Sequence, residues 1–137
     1  MAPVTKHFRK RNAILSYLQR TDSHPSAEMV YNQLKAEIPD LSLGTVYRNL
    51  SMFKQQGIIA SLGTVNCVER FDGNTAPHVH FVCDNCDSVL DLPMLDVPED
   101  LASAAAEQLG GYVNTCQLTF TGVCKDCIEK QHGGETA

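Results

Sequence analysis

No tryptophan occurs among the 137 residues, and phenylalanine and tyrosine together supply only 7% of them. So little aromatic volume leaves a very small domain short of core, and a bound metal or a second subunit is the expected supplement. Long apolar runs are missing too. None nears the roughly 18 residues of a membrane span, and residues 1–11 lack the apolar centre of a signal peptide. No membrane partner and a cytoplasmic location are therefore expected. With 43% hydrophobic and 20% charged residues the chain reads as globular, and its length suits one ordinary domain or two small ones sharing an interface. In a reducing cytosol its six cysteines point to metal or redox chemistry before disulfides.

Positive charge is scarce overall, at a net of −5, but it is unevenly placed. Residues 1–73 carry nine Lys/Arg against six Asp/Glu, whereas residues 74–137 carry two against ten. A basic first half and an acidic second half imply two modules, with any nucleic acid contacting the first.

The first half reads as three helices and a hairpin. Phe8, Ala13, Ile14, Tyr17 and Leu18 recur at helical spacing beside the basic cluster Arg9, Lys10 and Arg11. Ser26 caps a second helix carrying Met29, Val30, Leu34 and Ile38, and Pro39-Asp40 ends it. Ser42 caps a third, with Leu43, Val46, Leu50 and Phe53 buried and Gly57 at its left-handed end. Residues 58–62 and 65–71 read as strands turning at Gly63-Thr64. This is the order of a winged helix-turn-helix, whose third helix would enter the major groove and whose hairpin would contact the backbone of DNA. Its outward Thr45, Tyr47, Arg48, Ser51 and Lys54, with Arg11 from the basic cluster, are the candidate DNA contacts. Taken by itself, an amphipathic helix with a polar outer face explains the same pattern.

Residues 72–77 are turn-rich and read as a hinge. Strands are expected at 79–82, 89–92 and 112–123, a helix at 101–109 stopped by Gly110-Gly111, and a frayed tail at the end. Cys83-x-x-Cys86 and Cys124-x-x-Cys127 supply four thiolates, the donor set of a closed tetrahedral structural zinc site. Cys67 and Cys116, each placed in a strand, read as small buried apolar residues.

His78-x-His80 puts two imidazoles on one side of an extended segment, with Asp72 before them and Asp91 on the expected partner strand. Nitrogen and oxygen donors without thiolate suit iron(II), manganese(II) or zinc(II). His24, beside Pro25, reads by itself as a surface residue flanking a helix.

Arg11-Asn-Ala-Ile-Leu15, His24-Pro25-Ser26-Ala27-Glu28, Leu43-Gly-Thr45-Val-Tyr47-Arg48-Asn49-Leu50, His78-Val-His80-Phe-Val-Cys83-Asp-Asn-Cys86, Asp91 and the Cys124 pair occur in order. Together they resemble the ferric-uptake-regulator family over about residues 6–130. The resemblance implies an α+β architecture: a winged-helix DNA-binding domain at 1–72, a hinge at 73–77, a small zinc-stabilised α/β dimerisation and metal-binding domain at 78–130, and a tail at 131–137. It also implies a homodimer on double-stranded DNA.

Within the family the chain looks most like the peroxide-stress repressors, because an aspartate, Asp72, follows Arg70-Phe71. In that branch His24, Asp72, His78, His80 and Asp91 match the ligands of a regulatory iron or manganese ion, and peroxide oxidises His24 or His78 to end repression. The alternative on the same fold is an iron- or zinc-responsive uptake regulator without peroxide sensing. A zinc enzyme fits poorly, since no general base is spaced as in H-x-E or H-E-x-x-H. A zinc-stabilised adaptor without DNA affinity leaves the basic three-helix module unexplained.

Overall fold

The computed structural model describes residues 6–76, 78–114 and 116–135. Pro77 of the expected hinge, Thr115 of the expected last strand, and Thr136 and Ala137 of the expected tail lie outside the described residues. The chain divides into two compact units, Met1–Thr75 and Ala76–Ala137.

The first unit is α1 (Lys6–Arg20), α2 (Ala27–Leu34), α3 (Leu43–Gln55) and the antiparallel hairpin β1 (Ala60–Val65) and β2 (Val68–Asp72). Both predicted caps form: the Ser26 hydroxyl accepts from the Met29 N–H and the Ser42 hydroxyl from the Thr45 N–H. Each such cap contributes about 1 kcal/mol. Gly57, at φ 74°, turns the chain out of α3. Ile14, Leu18, Val30, Leu34, Val46, Leu50 and Phe53 fill the space between the helices, and Ile59 and Phe71 close it from the hairpin side. Ile38 is buried there too, but beyond the end of α2 and not within it as expected.

The hairpin corrects the sequence reading. Its turn lies at Asn66-Cys67, with φ 51° and 67°, and not at Gly63-Thr64. Two left-handed residues match the right-handed twist of the strands they join. Gly63, at φ 79°, falls inside β1, where the pairing register shifts between Ser61 and Thr64. Cys67 is thereby exposed at the hairpin tip, not buried in a strand.

Just past β2, Gly73 lies against α1: a Cβ there would stand 2.5 Å from the Leu18 carbonyl oxygen. Helix backbone cannot yield as a flexible side chain can. Gly73→Ala is expected to destabilise this unit by about 1–3 kcal/mol. Thermal melting checks this, with a fall in Tm of about 4–8 °C per kcal/mol in a domain of this size; an unchanged Tm would refute the close approach.

The second unit contains β3 (Val79–Cys83), β4 (Val89–Asp91), α4 (Leu101–Leu109), β5 (Leu118–Gly122) and α5 (Lys125–Glu135). Its sheet has the order β4-β3-β5, with β3 antiparallel to β4 and parallel to β5. Parallel strands need a long crossover, which the segment bearing α4 provides. Gly110, at φ 75°, ends α4 as expected.

Two expectations change here. The strand expected over 112–123 is confined to β5, and Cys116 lies before it, half-buried. Residues 131–135, expected as tail, belong to α5. That helix starts where the second cysteine pair pins the chain, with Asp126 in its first turn and the Ile128 N–H bonded to the Cys124 carbonyl. Among the described residues, no helix is long and apolar enough to cross a membrane. The whole is an α+β fold.

Candidate metal centres and nucleic-acid face

Parallel pairing explains how two cysteine pairs so far apart in sequence meet. Cys83 ends β3 directly opposite Gly122, the last residue of β5, so both strands deliver their C-terminal ends to the same edge. Cys86 follows in a tight turn closed by the Asp87 N–H to the Cys83 carbonyl, with Asp87 left-handed at φ 61°. Cys124 follows β5, and Cys127 sits in the first turn of α5.

The four sulfurs lie within 4.8 Å of one another, with Cys83–Cys127 and Cys86–Cys124 both at 3.8 Å. Zinc–thiolate bonds of about 2.3 Å at tetrahedral angles place sulfurs about 3.8 Å apart, so the residues fit that ion. Two backbone N–H groups, of Cys124 and then Cys86, hold the Cys83 thiol down to about 6. The Ser88 hydroxyl, 3.0 Å from the Cys86 sulfur, lowers the Cys86 thiol. Cys127 is pushed up to about 12, first by its hydrogen bond with the Cys124 thiol and then by burial. To present four thiolates to a metal, the cluster must also give up the Cys127 proton, and a bound cation would offset the repulsion among the four charges.

The nitrogen and oxygen donors form two groups, one in each unit. In the first, His24 is buried between α1 and α2, correcting its reading as a surface residue. Its Nε2 lies 3.4 Å from Asp72 Oδ2, while Asp72 Oδ1 accepts the Asn74 N–H at 2.9 Å. His24 is left-handed, at φ 50°, and it precedes a proline, where backbone freedom is already restricted. Such a conformation costs about 1–3 kcal/mol unless its surroundings hold it.

In the second unit the pairing of His80 with Asp91 across β3 and β4 sets the site. Asp91 Oδ1 lies 3.2 Å from His78 Nε2 and 3.4 Å from His80 Nε2, and the two rings are 4.2 Å apart, as the alternation of an extended strand predicts. His78 Nδ1 is 2.6 Å from the Ala76 carbonyl oxygen. A carbonyl only accepts, so Nδ1 carries the proton and donates, and in the neutral ring Nε2 turns its lone pair toward a carboxylate oxygen. A lone pair facing a carboxylate is repulsive unless a proton or a metal cation stands between them, and a bound divalent ion is one way to satisfy both groups. Nitrogen and oxygen donors with such a carbonyl-oriented ring fit a divalent ion such as iron(II) or manganese(II).

On the nucleic-acid face, Tyr47, Arg48, Ser51 and Lys54 lie exposed on α3, and Arg11 is exposed on α1. Thr45 is half-buried, and its hydroxyl joins the helix cap, 2.9 Å from the Ser42 hydroxyl and accepting from Arg48 at 3.1 Å. Lys54 reaches the hairpin and donates to Glu69 at 3.0 Å. Ser61 donates to the same carboxylate at 2.6 Å, and that bond, ahead of Lys54, holds the Glu69 carboxyl below its usual range. Neither Glu69 nor Ser88 was legible as functional, because both act through partners distant in sequence or unremarkable in type.

A family model described as the ferric uptake regulator family matches residues 4–121. The chain is 37% identical over 125 residues to the peroxide operon regulator of Bacillus subtilis, covering 90% of this chain and 84% of the relative. It is 37% identical over 123 residues to the peroxide-responsive repressor PerR of Staphylococcus epidermidis, covering 88% of this chain and 80% of the relative. Among solved structures, the Campylobacter jejuni peroxide stress regulator aligns with a TM-score of 0.76 and 29% identity, covering 89% of this chain and 91% of that one.

Proposed function

The chain belongs to the ferric uptake regulator family, and on that footing we propose that it is a cytoplasmic, metal-dependent transcriptional repressor, and not an enzyme, that binds operator DNA as a homodimer and senses peroxide. Cys83, Cys86, Cys124 and Cys127 hold a structural zinc ion. His24, Asp72, His78, His80 and Asp91 hold one regulatory iron(II) or manganese(II) ion, uniting ligands of the DNA-binding domain (1–72) with ligands of the dimerisation domain (78–130) across the hinge at 73–77. The observation that carries this reading is Asp91 Oδ1 facing two imidazole nitrogens, one of them on a ring oriented by the Ala76 carbonyl. The peroxide branch is favoured by Asp72 and by the names of the relatives.

His24, Asp72, His78, His80 and Asp91 would hold an iron(II) ion able to promote cleavage of the O–O bond of hydrogen peroxide; one oxygen would then replace a ring hydrogen of His24 or His78 in a two-electron oxidation and the other would leave as water. An oxidised ring is a poorer ligand, and its loss frees the two domains from a common ion. For DNA, Tyr47, Arg48 and Ser51 are presented outward at the spacing of a recognition helix, with Thr45 at its start and Arg11 toward the backbone. Lys54 reaches phosphate by exchanging its bond to Glu69. The dimer is favoured by α4, which has no buried residue, and by exposed Leu90, Leu109 and Phe120, with β5 at the sheet edge. A second copy would cover that apolar surface.

Peptide mass spectrometry tests the reading. After brief exposure to dilute peroxide, one added oxygen is expected on the peptide holding His24 or His78 in iron-loaded protein, and none in manganese-loaded protein. Unmodified histidines in both forms would instead support an iron- or zinc-responsive uptake regulator.

A further inference from the structure

Arg70 is buried, at 8% exposure, and its side chain reaches across to the backbone before α2. Its Nε donates to the carbonyl of His24 and its Nη2 to the carbonyl of Ser23 at 2.9 Å. The next residue along β2 continues the attachment, with the Phe71 N–H donating to the Pro25 carbonyl at 2.9 Å. Three successive carbonyls of the loop between α1 and α2 are thus fastened to one strand. Two residues beyond Arg70, and therefore on the same face of β2, stands Asp72, whose Oδ2 meets His24 Nε2. Gly73 fixes the far end of this segment by its approach to the Leu18 backbone.

We propose that Arg70 is the positioning residue of the regulatory metal site. It holds His24 in its left-handed conformation and aims the imidazole at the Asp72 carboxylate. The inference rests on the metal-site reading given above. A planar guanidinium suits the task because its nitrogens form a rigid fork that addresses two adjacent carbonyls at once, whereas a lysine ammonium has one nitrogen on a flexible stem. The same strand runs to the hairpin tip and carries Glu69, the partner of Lys54 on the recognition helix. Arg70 therefore ties the position of a metal ligand to the strand that also contacts the DNA-reading helix.

The test uses full-length, zinc-loaded protein and manganese(II) alone as the probe. Arg70→Ala is expected to weaken manganese binding about 10–100-fold, in the range of groups that orient metal ligands, and Arg70→Lys by a smaller factor. Both should keep one zinc per chain. A second readout separates positioning from general support. In iron-loaded Arg70→Lys exposed to peroxide, the oxygen added at His24 should fall relative to that at His78. Lower thermal stability with wild-type manganese affinity and an unchanged ratio would overturn the proposal, and Arg70→Lys decides the matter if Arg70→Ala does not fold. If His24→Ala binds manganese as tightly as the wild-type protein, the metal-site reading itself fails, and the proposal with it.

Discussion

Cys83→Ser is expected to release the structural zinc and unfold the second unit while the first stays folded. The reason is the scarcity of core. Among the described residues, the buried hydrophobics of residues 76–137 are Val79, Cys83, Val89 and Cys127, two of them thiols of the four-cysteine cluster, whereas the first unit packs twelve residues from Ile14 to Phe71. A structural zinc site contributes about 10–16 kcal/mol to the folding of a small metallodomain, as much as the whole stability of a typical domain, about 5–15 kcal/mol. No rearrangement of four small side chains replaces that. Elemental analysis should fall from one zinc per chain to none, and circular dichroism should keep the signal of α1 to α3 while losing that of α4 and α5. Sedimentation should report a monomer.

Acid should imitate the substitution. Cys83 is held as thiolate down to about 6 and Cys127 keeps its proton up to about 12. At neutral pH zinc therefore displaces protons from the site, and its affinity weakens as pH falls, more steeply below about 6, where Cys83 also takes up a proton. A Cys83→Ser protein with full zinc content and wild-type melting would sink the assignment.

Where a residue's role depends on its neighbours in sequence, the amino acids alone were enough. Ser26, Ser42, Gly57 and Gly110 stand at the helix ends expected of them, because a cap needs only a hydroxyl or a left-handed glycine at one position. The two C-x-x-C pairs and the alternation of His78 and His80 were equally plain. Misreadings arose where distant contacts override local preference. Gly63-Thr64 has the better composition for a turn, yet the register of Ala60 with Asp72 and Val65 with Val68 leaves Asn66-Cys67 to make it. His24 has the neighbours of a surface loop, yet Arg70, 46 residues away in sequence, takes its carbonyl and draws it inside. Helix α5 has few apolar residues and two glycines near its end, so nothing in its composition marks it. Its start is set by the thiol cluster and by the parallel pairing of β3 with β5, and neither strand's residues reveal that pairing alone.

Manganese(II) is expected to tighten operator binding, and operator DNA to tighten manganese binding by the same factor, about 5–150-fold. Equality is a thermodynamic necessity if one equilibrium between domain arrangements links both sites. Its origin would be the division of the proposed ligands. His24 and Asp72 are fixed to the fold that carries α3, through Arg70 and Gly73. His78, His80 and Asp91 are fixed to a different sheet by the β3–β4 pairing. An ion holding both groups restricts the two recognition helices of a dimer to the spacing of adjacent half-sites. His24→Ala removes a ligand from one group and leaves the other intact. The variant should therefore bind manganese weakly through His78, His80 and Asp91, and its operator affinity should no longer respond to the metal. Fluorescence anisotropy with labelled operator, at one fixed salt concentration because phosphate contacts make affinity salt-dependent, measures both directions of the cycle. Full coupling in His24→Ala would mean that His24 is no ligand and that the metal acts within the second unit alone. Coupling lost in His24→Ala and equally in His80→Ala is the result expected of a single shared ion, whereas two ions contributing independently would each leave part of the coupling in place.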